Sequence, residues 1–377
     1  MDLATKIFDS VTTEHNIRHD QVRQIIPDKE ALQYWRSVVR AAALCHDIGH
    51  LPFSHAAEAE LLPAGYDHER LTIDLIRHSD LAQIWPNLIP PLTPEHIVKV
   101  AVGPKKAREL EFTSWETILS EMITGDSFGA DRMDYLLRDS HHAGVAYGHY
   151  DHFRLIQCLA ILPREDKQSD EPALGLTSGG VEASEGLMLA RHFMFKQVYF
   201  HPVRRAFDIH LKEFLKEWLD DGFFPTAWKE HLRLTDAEVL AAIRSATLKK
   251  KAKGHKHALR IDRRDHFRLL YKSLSSDKGG GVIVPGEAIA KAACEKFGEQ
   301  HIRHDYVPAK SSSPDFPVLT HEGKIESSIR HSDILAKLPV LEVDSVYCDV
   351  SIRADAEKWR DDNKAKLLKL EKLEGAA

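Results

Sequence analysis

Residues 31–55 read ALQYWRSVVRAAALCHDIGHLPFSH, and two signals within them set the architecture. From Ala31 to Cys45, apolar residues recur at helical spacing and end in an alanine-rich stretch of high helix propensity, so a helix is predicted to run into His46. Leu51-Pro52 then punctuates the pattern. Between those points stand His46, Asp47 and His50, with His55 shortly after, a concentration of imidazole and carboxylate that a helix end does not need. A borderline or hard divalent cation accepts imidazole nitrogen and carboxylate oxygen together, so the adjacent His-Asp pair calls for a remote carboxylate to complete a site.

Asp131 is expected to be that carboxylate. In the segment 125–139, Asp131, Asp134, Tyr135 and Arg138 recur at i, i+3, i+4 and i+7, one polar face of an otherwise apolar helix predicted over 117–137. Buried polar groups need partners, and a metal with a phosphate supplies them. The bland reading of Arg132 and Arg138 is ion pairing with Asp134 and Asp139. Working outward, 51–104 reads as short helices joined by turns, 187–218 as a long helical stretch interrupted near Pro202, and 236–250 as a further helix opening with Thr235-Asp236. Residues 163–181 form a polar excursion with a short strand expected at 173–176. Beyond the basic break at 249–256, β-like runs occur at 281–285, 316–320 and 343–350, followed by a charged amphipathic helix over 354–373. The expected organisation is a helical core over 1–225 and a helical and α+β region over 226–377, the latter suited to oligomerisation or regulation.

A chain of 377 residues with 43% hydrophobic and 29% charged residues is an ordinary globular protein with room for one large core and a smaller appendage. No secretory leader and no membrane-length apolar run is visible, so cytoplasmic residence without a membrane partner is expected. The net charge of −6 disfavours nucleic acid as a partner, and an anionic substrate has to meet a local basic pocket. Cys45, Cys158, Cys294 and Cys348 stand far apart, which argues against both a thiolate zinc site and a disulfide framework. Lys105-Lys106 receives no role, and the lysine run at 249–253 reads as a solvated linker.

The strings AAALCHDIGHLPFSH (41–55), DHERLT (67–72) and GADRMDYLLRDSHHAGV (129–145) resemble motifs of the HD-domain deoxynucleoside triphosphate triphosphohydrolases, the branch that includes the sterile-alpha-motif/HD dNTPase and its bacterial relatives. The resemblance covers 1–225 and extends loosely over the rest. It implies a mainly α fold, an HD-domain helical core with a smaller α+β C-terminal region. It implies His46, Asp47 and Asp131 as ligands of a divalent metal ion (Mn, Fe, Mg or Zn). His50 and His68 resemble the histidines that face the phosphates in acid/base duty, with Glu69 beside the latter and Glu58 orienting the catalytic histidine. Arg132 resembles the phosphate contact, Tyr135 the aromatic that polices the sugar, and Asp139 the carboxylate for the 3′-hydroxyl. His141 and His142 follow as in the family, and Tyr199, His201 and Arg204 resemble its later pocket residues; His55 reads as structural. The implied reaction is hydrolysis of a deoxynucleoside triphosphate, with dGTP preference as an option, to deoxynucleoside and triphosphate. The implied partners are a small-molecule nucleotide, further copies of the chain in a dimer or tetramer, and an allosteric nucleotide.

One departure bears on the metal. The family's first ligand histidine lies just ahead of the helix that MDLATKIFD (1–9) resembles, so the expectation is that Met1 is internal to a longer natural chain. The other reading is a three-ligand site, with His15 or His19 standing in only after rearrangement. Two rival functions follow: an HD phosphodiesterase or nucleotidase acting on another nucleotide, which Tyr135 and Asp139 argue against because both suit a deoxyribose, and a catalytically weakened nucleotide-binding regulator.

Overall fold

The computed structural model describes residues 1–17, 19–54, 58–163, 172–274, 276–277, 284–309 and 315–368. His55, residues 164–171 of the excursion and residues 281–283 of the first expected β-like run lie outside the described residues. The described chain is mainly helical.

The helix predicted to run into the His-Asp pair forms over Lys29–Cys45. Asp28 caps it by accepting a hydrogen bond from the Ala31 amide at 2.9 Å, and Val38, Val39, Ala42, Ala43 and Cys45 supply the buried stripe. Asp67 caps His68–His78 in the same manner, and Thr113 with Glu116 forms a capping box at the start of Ser114–Thr124.

The single helix expected over 117–137 is two helices, Ser114–Thr124 and Ala130–Ala143. Gly125 and Gly129 make the break. A Cβ on Gly125 would lie 2.3 Å from the Glu121 carbonyl oxygen, and one on Gly129 would lie 2.6 Å from that of Ile123. The chain folds back against the end of the first helix so closely that only glycine fits. Asp131 thereby enters the first turn of a new helix rather than the middle of a long one.

The strands are β1 (Leu159–Leu162), β2 (Ala173–Thr177), β3 (Arg268–Lys272), β4 (Ile302–Val307), β5 (Pro317–Leu319), β6 (Ile325–Ser327) and β7 (Val343–Cys348). Two compact units share them without following chain order. The first comprises 1–194, 224–234 and 312–339. In it, Lys29–Cys45 packs on Pro94–Val102, which also meets His68–His78 and Ser114–Thr124. Its sheet runs β1-β2-β5-β6, parallel only between β2 and β5. The segment 224–234 is fastened by the Phe224 amide, which donates to the Leu61 carbonyl at 2.9 Å, and by the burial of Phe224 itself.

The second unit comprises 195–223, 235–311 and 340–377, with the antiparallel sheet β3-β7-β4. Ile289, Ala293, Ile302, Val346 and Cys348 form its core. Beside them His210 and His257 are buried with Nδ1 atoms 3.3 Å apart. The Phe267 amide donates to His210 Nε2 at 3.0 Å, so His210 carries its proton on Nδ1 and passes a hydrogen bond to His257. His257 then carries its proton on Nε2, 3.0 Å from Glu213 Oε2, and Arg303 closes the chain on the same carboxylate. No helix among the described residues is long and apolar enough to cross a membrane.

Candidate metal centre

His46 is the residue that ends the Lys29–Cys45 helix. Its Nδ1 donates to the Ala43 carbonyl at 3.1 Å, which fixes the tautomer and leaves the Nε2 lone pair for a ligand. Nε2 lies 3.3 Å from Asp131 Oδ1 and 3.4 Å from Asp47 Oδ2, yet it is buried without a hydrogen-bond partner. An orphaned imidazole nitrogen between two carboxylates is the donor set that a divalent cation completes, so the residues present fit a metal ion. The electrostatics agree. Burial lowers the pKa of His46, but Asp131 and Asp47 outweigh it and raise the pKa above the usual histidine value. Burial raises the pKa of Asp47, but His50, His46 and His68 hold it below the usual carboxylate range.

The turn that carries Asp47 and His50 is clamped on the His68–His78 helix. A Cβ on Gly49 would fall 2.2 Å from the His68 carbonyl oxygen and 2.4 Å from the Thr72 nitrogen. The Gly49 amide donates to Thr72 Oγ1 at 3.0 Å, and that hydroxyl donates to the His46 carbonyl at 3.1 Å. His50 and His68 therefore meet, their rings stacked 4.0 Å apart at 15°. His50 Nε2 lies 3.5 Å from Asp47 Oδ1. His68 Nδ1 lies 2.7 Å from Glu58 Oε1, which also accepts from the His68 amide at 2.8 Å, and 3.3 Å from Glu69 Oε2. Burial lowers the His68 pKa, and the carboxylates of Glu58 and Glu69 raise it by more. Past the turn, Phe53 and Ser54 hold φ of 60° and 56°, a conformation that costs a side-chain-bearing residue ~1–3 kcal/mol.

On the Ala130–Ala143 helix, Arg132 follows Asp131 directly, pairs with Asp126 at 3.7 Å and buries an Nε that has no hydrogen-bond partner. Arg191, from the Val181–Met194 helix, hydrogen-bonds Tyr135 and stands near Arg132. Burial, with Arg132 adding to it, depresses the Arg191 pKa. Two guanidiniums thus lie near each other, with Asp126 close to both. Arg191 is not among the residues singled out in the sequence; its one signal is a charge set among Leu187, Met188, Ala190 and Met194. His231 is also missed there. It is 3% exposed and hydrogen-bonds the backbone of His50 and Gly49 from the segment 224–234.

The remaining candidates fall as follows. Asp139 is half-buried on the same helix, and Arg138 takes the ion-pair role, 2.9 Å from Asp134 and 3.9 Å from Asp139. His141 and His142 are exposed in the helix's last turn. Tyr199, His201 and Arg204 belong to the second unit. There Tyr199 ends the π-helical turn Phe195–Tyr199, His201 Nδ1 caps Pro202–Trp218, and Arg204 donates to the Tyr199 carbonyl and pairs with Asp208. His15 and His19 line a cavity of about 540 Å³ with Arg154, Ser178 and His321, and none of His46, Asp47 and Asp131 reaches it.

Residues 25–120 match the HD domain, and residues 150–304 match the HD associated region. The chain carries an HD domain followed by an HD associated region. The HD match takes in His46, Asp47, His50, Glu58 and His68, Arg191 falls in the associated region, and Asp131 and Arg132 lie between the two. Over 191 residues this HD-domain protein is 33% identical to the uncharacterized protein YwfO of Bacillus subtilis, covering 50% of the chain and 39% of YwfO. Over 213 residues it is 26% identical to the deoxynucleoside triphosphate triphosphohydrolase SAMHD1 of Mus musculus, covering 47% of the chain and 31% of that protein. The chain thus spans less than two fifths of the length of these curated relatives. A crystal structure of a hypothetical protein from Aquifex aeolicus superposes with a TM-score of 0.71 at 28% identity, covering 94% of this chain and 83% of that one.

Proposed function

We propose that this HD-domain protein is a metal-dependent phosphohydrolase that converts deoxynucleoside triphosphates to deoxynucleoside and inorganic triphosphate. The observation that carries the reading is the orphaned His46 Nε2 between Asp47 and Asp131, with the buried guanidinium of Arg132 on the very next residue. A divalent ion (Mn, Fe, Mg or Zn) held by His46, Asp47 and Asp131 supplies Lewis acidity toward a phosphoryl oxygen.

The chain's own residues do the rest. Arg132 and Arg191 neutralise phosphate charge in a site with little water to compete. His68 has Nδ1 engaged by Glu58, so it holds or releases a proton at Nε2, and its raised pKa keeps it in the acid form toward higher pH. His50, stacked on that ring, shares the same face. Tyr135 and Asp139, one turn apart on the Asp131 helix, support deoxyribose as the sugar and count against a phosphodiesterase or other nucleotidase. A dGTP preference, action on a cytoplasmic nucleotide pool, homo-oligomeric assembly and a second, regulatory nucleotide belong to the same proposal. For the last, the cavity lined by His15, His19, Arg154 and His321 offers one guanidinium and three imidazole side chains.

The test is release of inorganic triphosphate from each deoxynucleoside triphosphate in manganese or magnesium, by the wild type and by Asp131→Ala. Triphosphate from the wild type alone supports the reading. Orthophosphate, or no product from folded and metal-loaded protein, overturns it.

A further inference from the structure

Lys106 lies in the turn after the Pro94–Val102 helix, and its backbone is held there. The Gly103 carbonyl accepts from the amides of Lys106 at 3.3 Å and Ala107 at 3.1 Å, and Ala107 is fully buried. From this anchored turn the ammonium reaches the start of the His68–His78 helix. It stands 3.0 Å from Asp67 Oδ2 and 2.7 Å from Glu69 Oε1. The Asp67 contact joins two half-exposed side chains and contributes little. The Glu69 contact differs, because that carboxylate is 19% exposed and its other oxygen, Oε2, is buried with no hydrogen bond.

Oε2 of Glu69 faces His68 Nδ1 at 3.3 Å, while Glu58 Oε1 faces the same nitrogen at 2.7 Å. Nδ1 has a single proton, and a hydrogen bond weakens steeply as it bends, so only one of the two carboxylates can hold it well. Which one wins sets the plane of the ring and the direction of Nε2. We propose that Lys106 is a positioning residue for His68: by holding Glu69 through Oε1 it leaves Nδ1 to Glu58 and keeps Nε2 directed at substrate. This deepens the phosphohydrolase reading and rests on it. Without Lys106, Glu69 is a mostly buried carboxylate stripped of its lysine, with His68 Nδ1 3.3 Å from its other oxygen.

The experiment compares full-length wild type with Lys106→Ala, Lys106→Arg, Glu69→Gln and the double variant Lys106→Ala/Glu69→Gln. Lys106→Ala is expected to lower kcat about 10- to 100-fold with KM changed less than about 3-fold. Lys106→Arg restores part of the loss, and the double variant matches Glu69→Gln alone, because a neutral amide needs no cation. A KM increase that Glu69→Gln does not relieve would mean that the lysine meets phosphate directly, and overturns the proposal. So does a kcat loss from Lys106→Ala that is equally large in the wild type and in the Glu69→Gln variant. A second readout does not depend on turnover. In ¹⁵N-histidine spectra of the magnesium-loaded protein, the His68 ring resonances, assigned by their loss in His68→Gln, should move in Lys106→Ala and return in the double variant. Unmoved resonances overturn the role of Lys106 even if the substrate reading holds; a wild type without turnover overturns the substrate reading and leaves the spectra to judge Lys106.

Discussion

In the second unit, His210, His257 and Glu213 form a chain in which every ring nitrogen has a partner, whereas in the first unit His46 keeps one nitrogen buried and unbonded between two carboxylates. Both clusters are histidine and carboxylate, and composition does not tell them apart. Their satisfaction does. A completed network specifies a packed arrangement, while a buried polar atom left open marks a place where something else is to bind. Under the proposed function, the His46 cluster is the one that holds chemistry and the His210 cluster the one that holds structure.

The largest test of that contrast is His46→Ala. Turnover should fall on the order of 10³-fold or more, because groups that act as a unit fail together. The same variant should lower unfolding free energy in urea by only about 1 kcal/mol, the worth of the Nδ1 hydrogen bond to the Ala43 carbonyl, since Nε2 makes none. An unfolded His46→Ala protein would break the comparison by making the trio architectural. Glu213→Gln should do the reverse. Removing the anion that faces both His257 and Arg303 is expected to cost about 3 kcal/mol of stability, with the folded fraction turning over as wild type does. Next in size, Arg191→Ala should lower kcat/KM about 10- to 100-fold, the usual loss of a charged hydrogen bond, with a smaller change for a substrate carrying fewer phosphates.

The smallest effect is in pH. Burial, aided by His257 and Arg260, pushes the His210 pKa down to about 3, so His210 is neutral when folded and takes up a proton near its ordinary 6.5 once unfolded. Its share of stability is full above 6.5 and is lost as the pH falls from there toward 3, by up to about 1.4 kcal/mol per pH unit. His46 and His68 have raised values, so what they contribute is full below 6.5 and lost as pH rises through their folded pKa. In ¹⁵N-histidine titrations of metal-free protein, His210 should remain neutral at pH 5 while His68 is protonated. A His210 that titrates near 6.5 would erase the distinction between a closed cluster and an open one.

The parts legible in the sequence are those written in short strings. The helix into His46, the HD turn and the polar face beginning at Asp131 all depend on residues within a few positions of each other. The break at Gly125–Gly129 is not legible as a pattern, because the apolar period carries on across it; only the close approach of the backbone shows why glycine stands there. Arg191 and His231 have no string at all, since each meets its partners from another part of the chain. The strands at β3 and β4 go unread for a related reason: their pairing partner β7 lies tens of residues away, and isolated they alternate too weakly.

Gly49 has a consequence of another kind. A side chain of even one carbon would collide with the backbone of the His68–His78 helix, so the turn bearing Asp47 and His50 and the helix bearing His68 share one fixed spacing. The arginines and Tyr135 stand on other helices, Ala130–Ala143 and Val181–Met194. The turn and the His68–His78 helix are thus gauged by a single glycine contact, and a second glycine does the same for the other pair of helices: a Cβ on Gly148 would lie 2.8 Å from the Leu136 carbonyl oxygen and 3.0 Å from Met194 Sδ, so the two pairs of elements are registered by separate glycines.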